Sequence, residues 1–148
     1  MRFQIWHAPV RLATGAFILN SGINKWKAGD EEVHKHIHSM ASTAYPQLES
    51  VDAKMFTKSL AGAEMALGAA LLTPFVSPAL AGAALTAFSG GLVGLYLRTP
   101  GMHEEGSIRP SQNGTALAKD VWMLGIGTAL VIDAFTSRAK RLVPGKKK

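Results

Sequence analysis

The sequence predicts an all-α integral membrane protein, a four-helix bundle with a short interfacial helix between the first and second spans. Three observations carry this expectation. No residue from Met65 to Leu97 is charged, and Pro74 and Pro78 break that run near its middle. It therefore divides into two arms, each close to the ~20 residues that span a bilayer. Small residues recur every four positions along both arms: Gly62, Ala66 and Ala70 in the first, and Gly82, Thr86, Gly90 and Gly94 beside Ala83, Ala87 and Gly91 in the second. Such ridges let backbones approach closely where lipid is the solvent and packing drives association. Lastly, an apolar stretch lies on either side of this hairpin, which makes four spans near 6–26, 55–74, 79–98 and 115–137. The chain of 148 residues suits one domain, placed at 1–137, with a basic tail at 138–148.

The first span opens on a basic start and an apolar centre. No A-x-A-like site follows, so a cleaved signal peptide is not expected. Leu12–Ile23 alone is short for a span. Counted from Trp6, with Arg11 inside, the stretch is long enough, and Trp6 and Trp26 fall at opposite ends, as interface aromatics do. Arg11, Gly15, Ile18, Gly22 and Lys25 share one helical face. After it, Asp30 can cap a short helix. Val33, Ile37, Met40 and Ala44 line one side of that helix, which suits the membrane surface, and Pro46 ends it. Ser50 or Asp52 caps the first arm of the hairpin.

Beyond the hairpin, Thr99-Pro100-Gly101, Arg109-Pro110 and Asn113-Gly114 are turn signals in an irregular loop. Thr115 is the expected cap of the last helix. Gly125, Ala129 and Asp133 share a face of that helix.

Apolar residues make up 47% of the chain, a modest share that averages the spans with polar loops. The glycine-rich helices argue against a soluble helical domain, since each Gly costs about 1 kcal/mol relative to Ala in water. Net charge is +6, concentrated in Arg138, Lys140, Arg141, Lys146, Lys147 and Lys148. A basic run beside an apolar helix points to anionic lipid at the cytoplasmic face rather than to nucleic acid. Lys and Arg are equal in number on the two sides of a four-span arrangement. The crowding of tail cations at a helix end places both termini in the cytoplasm. The absence of cysteine excludes disulfides, thiol redox chemistry, cysteine-ligated iron–sulfur clusters and c-type haem attachment.

The order of short motifs adds a family resemblance. The first span reads R-x3-G-x-F-x4-G-x2-K through Arg11, Gly15, Phe17, Gly22 and Lys25, and the hairpin opens with E-x3-G through Glu64 and Gly68. With LYLRTPGM, IRP and AKDVWMLGIG further on, the chain resembles the DoxX family, its actinobacterial members in particular, over roughly Pro9 to Phe135. The resemblance implies a multi-pass four-helix protein of the plasma membrane associated with redox biology, since related proteins include membrane subunits of thiosulfate:quinone oxidoreductases. It implies no thiol chemistry here, because this chain has no cysteine.

Ionisable residues within spans are expensive and mark candidate sites. Arg11 and Asp133 match in depth near the terminal ends of the first and last spans, and are expected as a buried pair. Glu64, Asn20 and Lys25 match in depth toward the other side. They read either as a pin fixing helix register or as a polar pocket for a quinone or small anion. Arg98, Arg109, Lys119 and Asp120 are expected to gather under the loop, as a structural staple of Arg–Asp bonds or as an anion site. His34 and His38 share a helical face and His36 does not. Two imidazoles are fewer than a zinc site uses, so no metal is expected. No phosphate loop, dinucleotide fingerprint, hydrolase elbow or zinc-protease motif is present, and no catalytic residue is assigned. The expectation is a small accessory or quinone- or lipid-binding subunit of a redox-linked membrane complex, with the bilayer and a redox protein as partners and self-association into a homo-oligomer as a further expectation. The alternatives are a quinone-linked oxidoreductase and a small transporter or channel subunit.

Overall fold

The computed structural model describes residues 5–142, with side chains through 138. Arg2 and Lys146–Lys148 lie outside the described residues, and with them most of the expected lipid-facing basic tail. Every regular element among the described residues is helical. Four are long: α1 (His7–Lys27), α3 (Ala53–Leu72), α4 (Pro78–Arg98) and α6 (Val121–Leu142). At 1.5 Å per residue each extends about 30 Å. Two are short: α2 (Glu31–Ala44), followed by a 3₁₀ turn at Pro46–Leu48, and α5 (Thr115–Ala118).

Local chemistry sets most of these boundaries. The Asp30 carboxylate accepts from the Glu32 amide at the start of α2, and Asp52 accepts from the Met55 amide at the start of α3. The Ser77 hydroxyl accepts from the Leu80 amide, with Pro78 in the first turn of α4, where its missing N–H costs nothing. Thr115 departs from expectation. Its hydroxyl donates to the Ser111 carbonyl and caps nothing. One helical turn follows, the helix breaks at Lys119–Asp120, and it restarts at Val121.

By length and composition two segments are long and apolar enough to cross a membrane, Pro78–Arg98 and Thr115–Arg138. α1, with Arg11, Lys25 and Lys27, and α3, with Lys54, Lys58 and Glu64, do not meet the same measure.

The long helices pack as two close pairs, α1 on α3 and α4 on α6. Glycine is the reason for both. A Cβ on Gly68 would come within 2.7 Å of the Leu19 amide nitrogen and 2.8 Å of the Gly15 carbonyl oxygen, and one on Gly22 within 2.8 Å of the Ala61 carbonyl oxygen. In the second pair, a Cβ on Gly82 would meet the Gly127 carbonyl oxygen at 2.8 Å, and one on Gly127 would meet Thr86 Oγ1 at 2.6 Å. α3 and α4, the two arms of the expected hairpin, touch each other far less. The pairs meet around a core of Ile18, Leu67, Leu71, Leu85, Met123 and Leu130.

The small-residue ridges are thus corrected in part. Gly82 and Thr86 do form a close contact, with α6. Gly62 and Gly90 face open space, Ala66 and Gly90 are exposed, and Gly94 lies under the Tyr45 hydroxyl. A four-residue repeat marks one stripe of a helix without saying which neighbour it meets. Gly90→Leu is accordingly expected to leave stability within about 0.5 kcal/mol of the parent, measured by thermal unfolding in detergent. A clear loss would place an unseen neighbour against that stripe.

α2 crosses α3 and also meets α4. His34 and Ala44 are its buried residues, while Val33 is exposed. Of the expected stripe, Ile37, Met40 and Ala44 turn inward and Val33 alone is exposed. Its outer face is charged: Glu32 accepts a hydrogen bond from Lys35, which holds that ammonium above its ordinary pKa.

Candidate functional site

The space between the two helix pairs is not filled. A cavity of about 620 Å³ remains there, roofed by Ile37, Met40 and Ala41 of α2 and by Tyr45. Phe17 and Ile18 of α1, Leu60 of α3, Phe88 and Leu92 of α4 and Met123 of α6 make its walls, and it is open on one side. Its volume falls in the range of small-molecule sites, whose walls are apolar with a few polar groups that fix orientation.

The polar groups converge on one part of the wall. Lys25 Nζ donates to Glu64 Oε1 at 3.0 Å, to Glu64 Oε2 at 2.9 Å and to Ser21 Oγ at 2.7 Å. The Glu64 side chain is 6% exposed and Lys25 24%. A carboxylate this buried requires a partner, and Lys25 is one helical turn beyond Ser21 on the same face. Gly22 and Gly68 let α1 and α3 close near enough for the bridge to form. Asp120 also lines the cavity, in electrostatic range of both Lys25 and Glu64. The α5–α6 break places it there. Asn20 is exposed and is not part of this cluster. It sits next in sequence to Ser21, which takes the position expected of Asn20.

Arg11 and Asp133 do not pair. The Arg11 guanidinium donates to four carbonyl oxygens at the end of α3 and the turn after it: Ala70 at 2.9 Å, Leu71 at 2.8 Å, Thr73 at 2.8 Å and Val76 at 3.1 Å. Its planar fork of donors suits the unpaired carbonyls that a helix terminus leaves. Asp133 Oδ2 instead lies 3.1 Å from His7 Nε2, joining α6 to α1. Matched depth predicted a charge partner for Arg11, whereas carbonyl dipoles supply its neutralisation.

The expected loop cluster is not assembled either. Arg98 stacks on the Tyr45 ring, 5.1 Å from its centroid, and Arg109 and Lys119 are exposed. Asp120 has turned to the cavity. His34 is buried, and His38 faces the Leu48 carbonyl at 2.9 Å and the Phe56 ring. Among the described residues no group of three or more His, Cys, Asp or Glu could hold a metal.

Tyr45, absent from the expected site, ties the roof down. Its hydroxyl donates to the Gly91 carbonyl at 2.8 Å, and Gly94 leaves room for that hydroxyl. The four-residue small ridge of α4 was the available signal: it is the seat for this side chain. Across the cavity, Phe17 of α1 meets Trp122 of α6 edge to face, centroids 6.2 Å apart, where the two helices otherwise barely touch. No family model, curated protein or solved structure matches this chain.

Proposed function

We propose that this chain is a small four-span membrane protein that binds an amphiphile, an isoprenoid quinone or a lipid, as an accessory subunit of a redox-linked membrane complex, in keeping with its resemblance to the DoxX family. The observation that carries the reading is the cavity. Its walls are apolar, and a Lys25–Glu64 bridge with Asp120 beside it forms one polar patch. A head group would sit at that patch and the tail along the walls.

Several features support placing all four long helices in a bilayer. Outward-facing side chains include Leu12 on α1, Leu80 and Leu97 on α4, and Ile132 and Phe135 on α6. Trp6 and Trp26 are exposed at opposite ends of α1, where interface aromatics belong. Three ionisable groups within α1 and α3 are satisfied internally, Arg11 by carbonyls and Lys25 and Glu64 by each other. That is the condition under which such groups are tolerated in a membrane. Compartment reporters fused after Lys148 and inserted at Gly106 are expected to read opposite sides, the former cytoplasmic. The same side for both would overturn the four-span reading.

Ligand binding is tested by native mass spectrometry of the protein released from membranes. The parent is expected to carry a bound amphiphile that organic extraction identifies. Leu92→Trp, which fills the cavity from α4, is expected to lower occupancy at least tenfold while the helical content is retained. Equal occupancy in both proteins would place the amphiphile on the outer surface.

A further inference from the structure

The polar patch of the cavity holds more acceptor than donor. All three protons of the Lys25 ammonium are engaged, two by Glu64 and one by Ser21, and an ammonium has only three. The Tyr45 O–H is taken by the Gly91 carbonyl. What remains facing the cavity is the Asp120 carboxyl, which makes no side-chain hydrogen bond to the described residues, and the single O–H of Ser21. Two carboxyls share one ammonium, so the patch carries one more negative charge than positive when all three groups are ionised.

An ionised carboxylate only accepts hydrogen bonds. A head group made only of carbonyls would set its oxygens against the Asp120 oxygens, acceptor against acceptor. A head group that donates would complete the patch and give Asp120 the partner it lacks. We infer that Asp120 makes the cavity selective for amphiphiles whose head donates hydrogen bonds, either the phenolic hydroxyl of a reduced quinone or the ammonium of an aminophospholipid. This rests on the amphiphile-binding reading above and adds a preference to it. Within the quinone series it predicts that the quinol binds more tightly than the quinone. No electron transfer by the protein is required, only a stronger hold on one redox form.

The test uses the full-length protein in phosphatidylcholine nanodiscs, with decylubiquinone and decylubiquinol as probes under argon and tryptophan fluorescence as the readout. The quinol is expected to bind roughly tenfold more tightly, the scale of one charge-assisted hydrogen bond. A tenfold preference raises the two-electron midpoint of the bound probe by about 30 mV. Asp120→Asn is expected to bring the ratio to within about twofold, and Asp120→Leu to do the same if the amide proves disruptive. A second arm uses nanodiscs of mixed phosphatidylethanolamine and phosphatidylcholine. Enrichment of the ethanolamine lipid on the parent, lost in Asp120→Asn, identifies the lipid as the source of the donor; a quinol preference identifies the quinol. Binding of all probes without preference, unchanged by either substitution, would overturn the inference and leave the amphiphile cavity standing. A preference for the quinone over the quinol overturns it equally. Failure of every probe to bind would remove the reading beneath it as well.

Discussion

Gly68→Leu is expected to separate α1 from α3 and to cost at least the upper end of the ~1–3 kcal/mol typical of overpacking. Even a single Cβ at Gly68 would lie 2.7 Å from Leu19 N and Leu19 Cβ and 2.8 Å from the Gly15 oxygen. Two of those three atoms are backbone, so no side-chain rotamer can relieve the clash and the helices must move apart. The consequence reaches the site, because the Lys25–Glu64 bridge spans the same pair of helices. Gly62 on the same helix is the control. A Cβ there meets nothing within 4 Å, so Gly62→Ala should be neutral or stabilise by up to about 1 kcal/mol through helix propensity. Unfolding in graded detergent denaturant reads both. Equal stability of the two variants would show that the α1–α3 contact is looser than described.

The second large effect is expected at Lys25. Lys25→Met strands the Glu64 carboxylate, buried and without its three-proton partner. Removing one member of a buried pair typically costs ~3–5 kcal/mol, while replacing both members with apolar residues is often close to neutral. Lys25→Met with Glu64→Leu should therefore recover most of the stability lost in Lys25→Met alone. The exchanged pair, Lys25→Glu with Glu64→Lys, should also recover part of it. Ligand occupancy separates two roles that stability does not. If the bridge only fixes helix register, the exchanged pair regains the bound amphiphile along with the fold. If the bridge shapes the head-group patch, the fold returns and occupancy does not, because the donor and acceptor positions beside Asp120 are reversed.

Much of the helical architecture was legible because it rests on local signals. Charge-free runs, Asp and Ser caps and Pro78 mark where helices lie, and the expected spans fall within a few residues of α1, α3 and α4. The partners of those helices were not legible. Gly82 sits on a repeat that marks a close helix contact without naming the partner, and its nearest backbone belongs to Gly127 of α6. Periodicity reports a stripe, and partner choice depends on how four helices share space. The site divides in the same way. The Arg11, Gly15, Ile18, Gly22, Lys25 stripe read from spacing is the face α1 turns inward, and the meeting of Lys25 with Glu64 follows from it. Depth alone pairs Arg11 with Asp133, and depth is blind to the carbonyls at the end of α3. A continuous helix from Thr115 would keep Asp120 under the loop. The break at Lys119–Asp120 has no Pro or Gly to announce it, and it is what carries Asp120 to the cavity. For Tyr45 the sequence shows the seat, the small ridge of α4, but nothing beside Pro46 that says which side chain fills it.

Photoaffinity labelling tests most directly whether the space between the helix pairs is a binding site. The protein in nanodiscs would be exposed to an azido-substituted quinone with a short isoprenoid tail, irradiated, digested and mapped by peptide mass spectrometry. Label is expected on the cavity-lining segments around Met40–Tyr45 and Phe88–Leu92, suppressed by excess unlabelled quinone and absent in Leu92→Trp. Label confined to outward-facing residues such as Leu12, Ile132 and Phe135, undiminished by competitor and unaffected by Leu92→Trp, would contradict it.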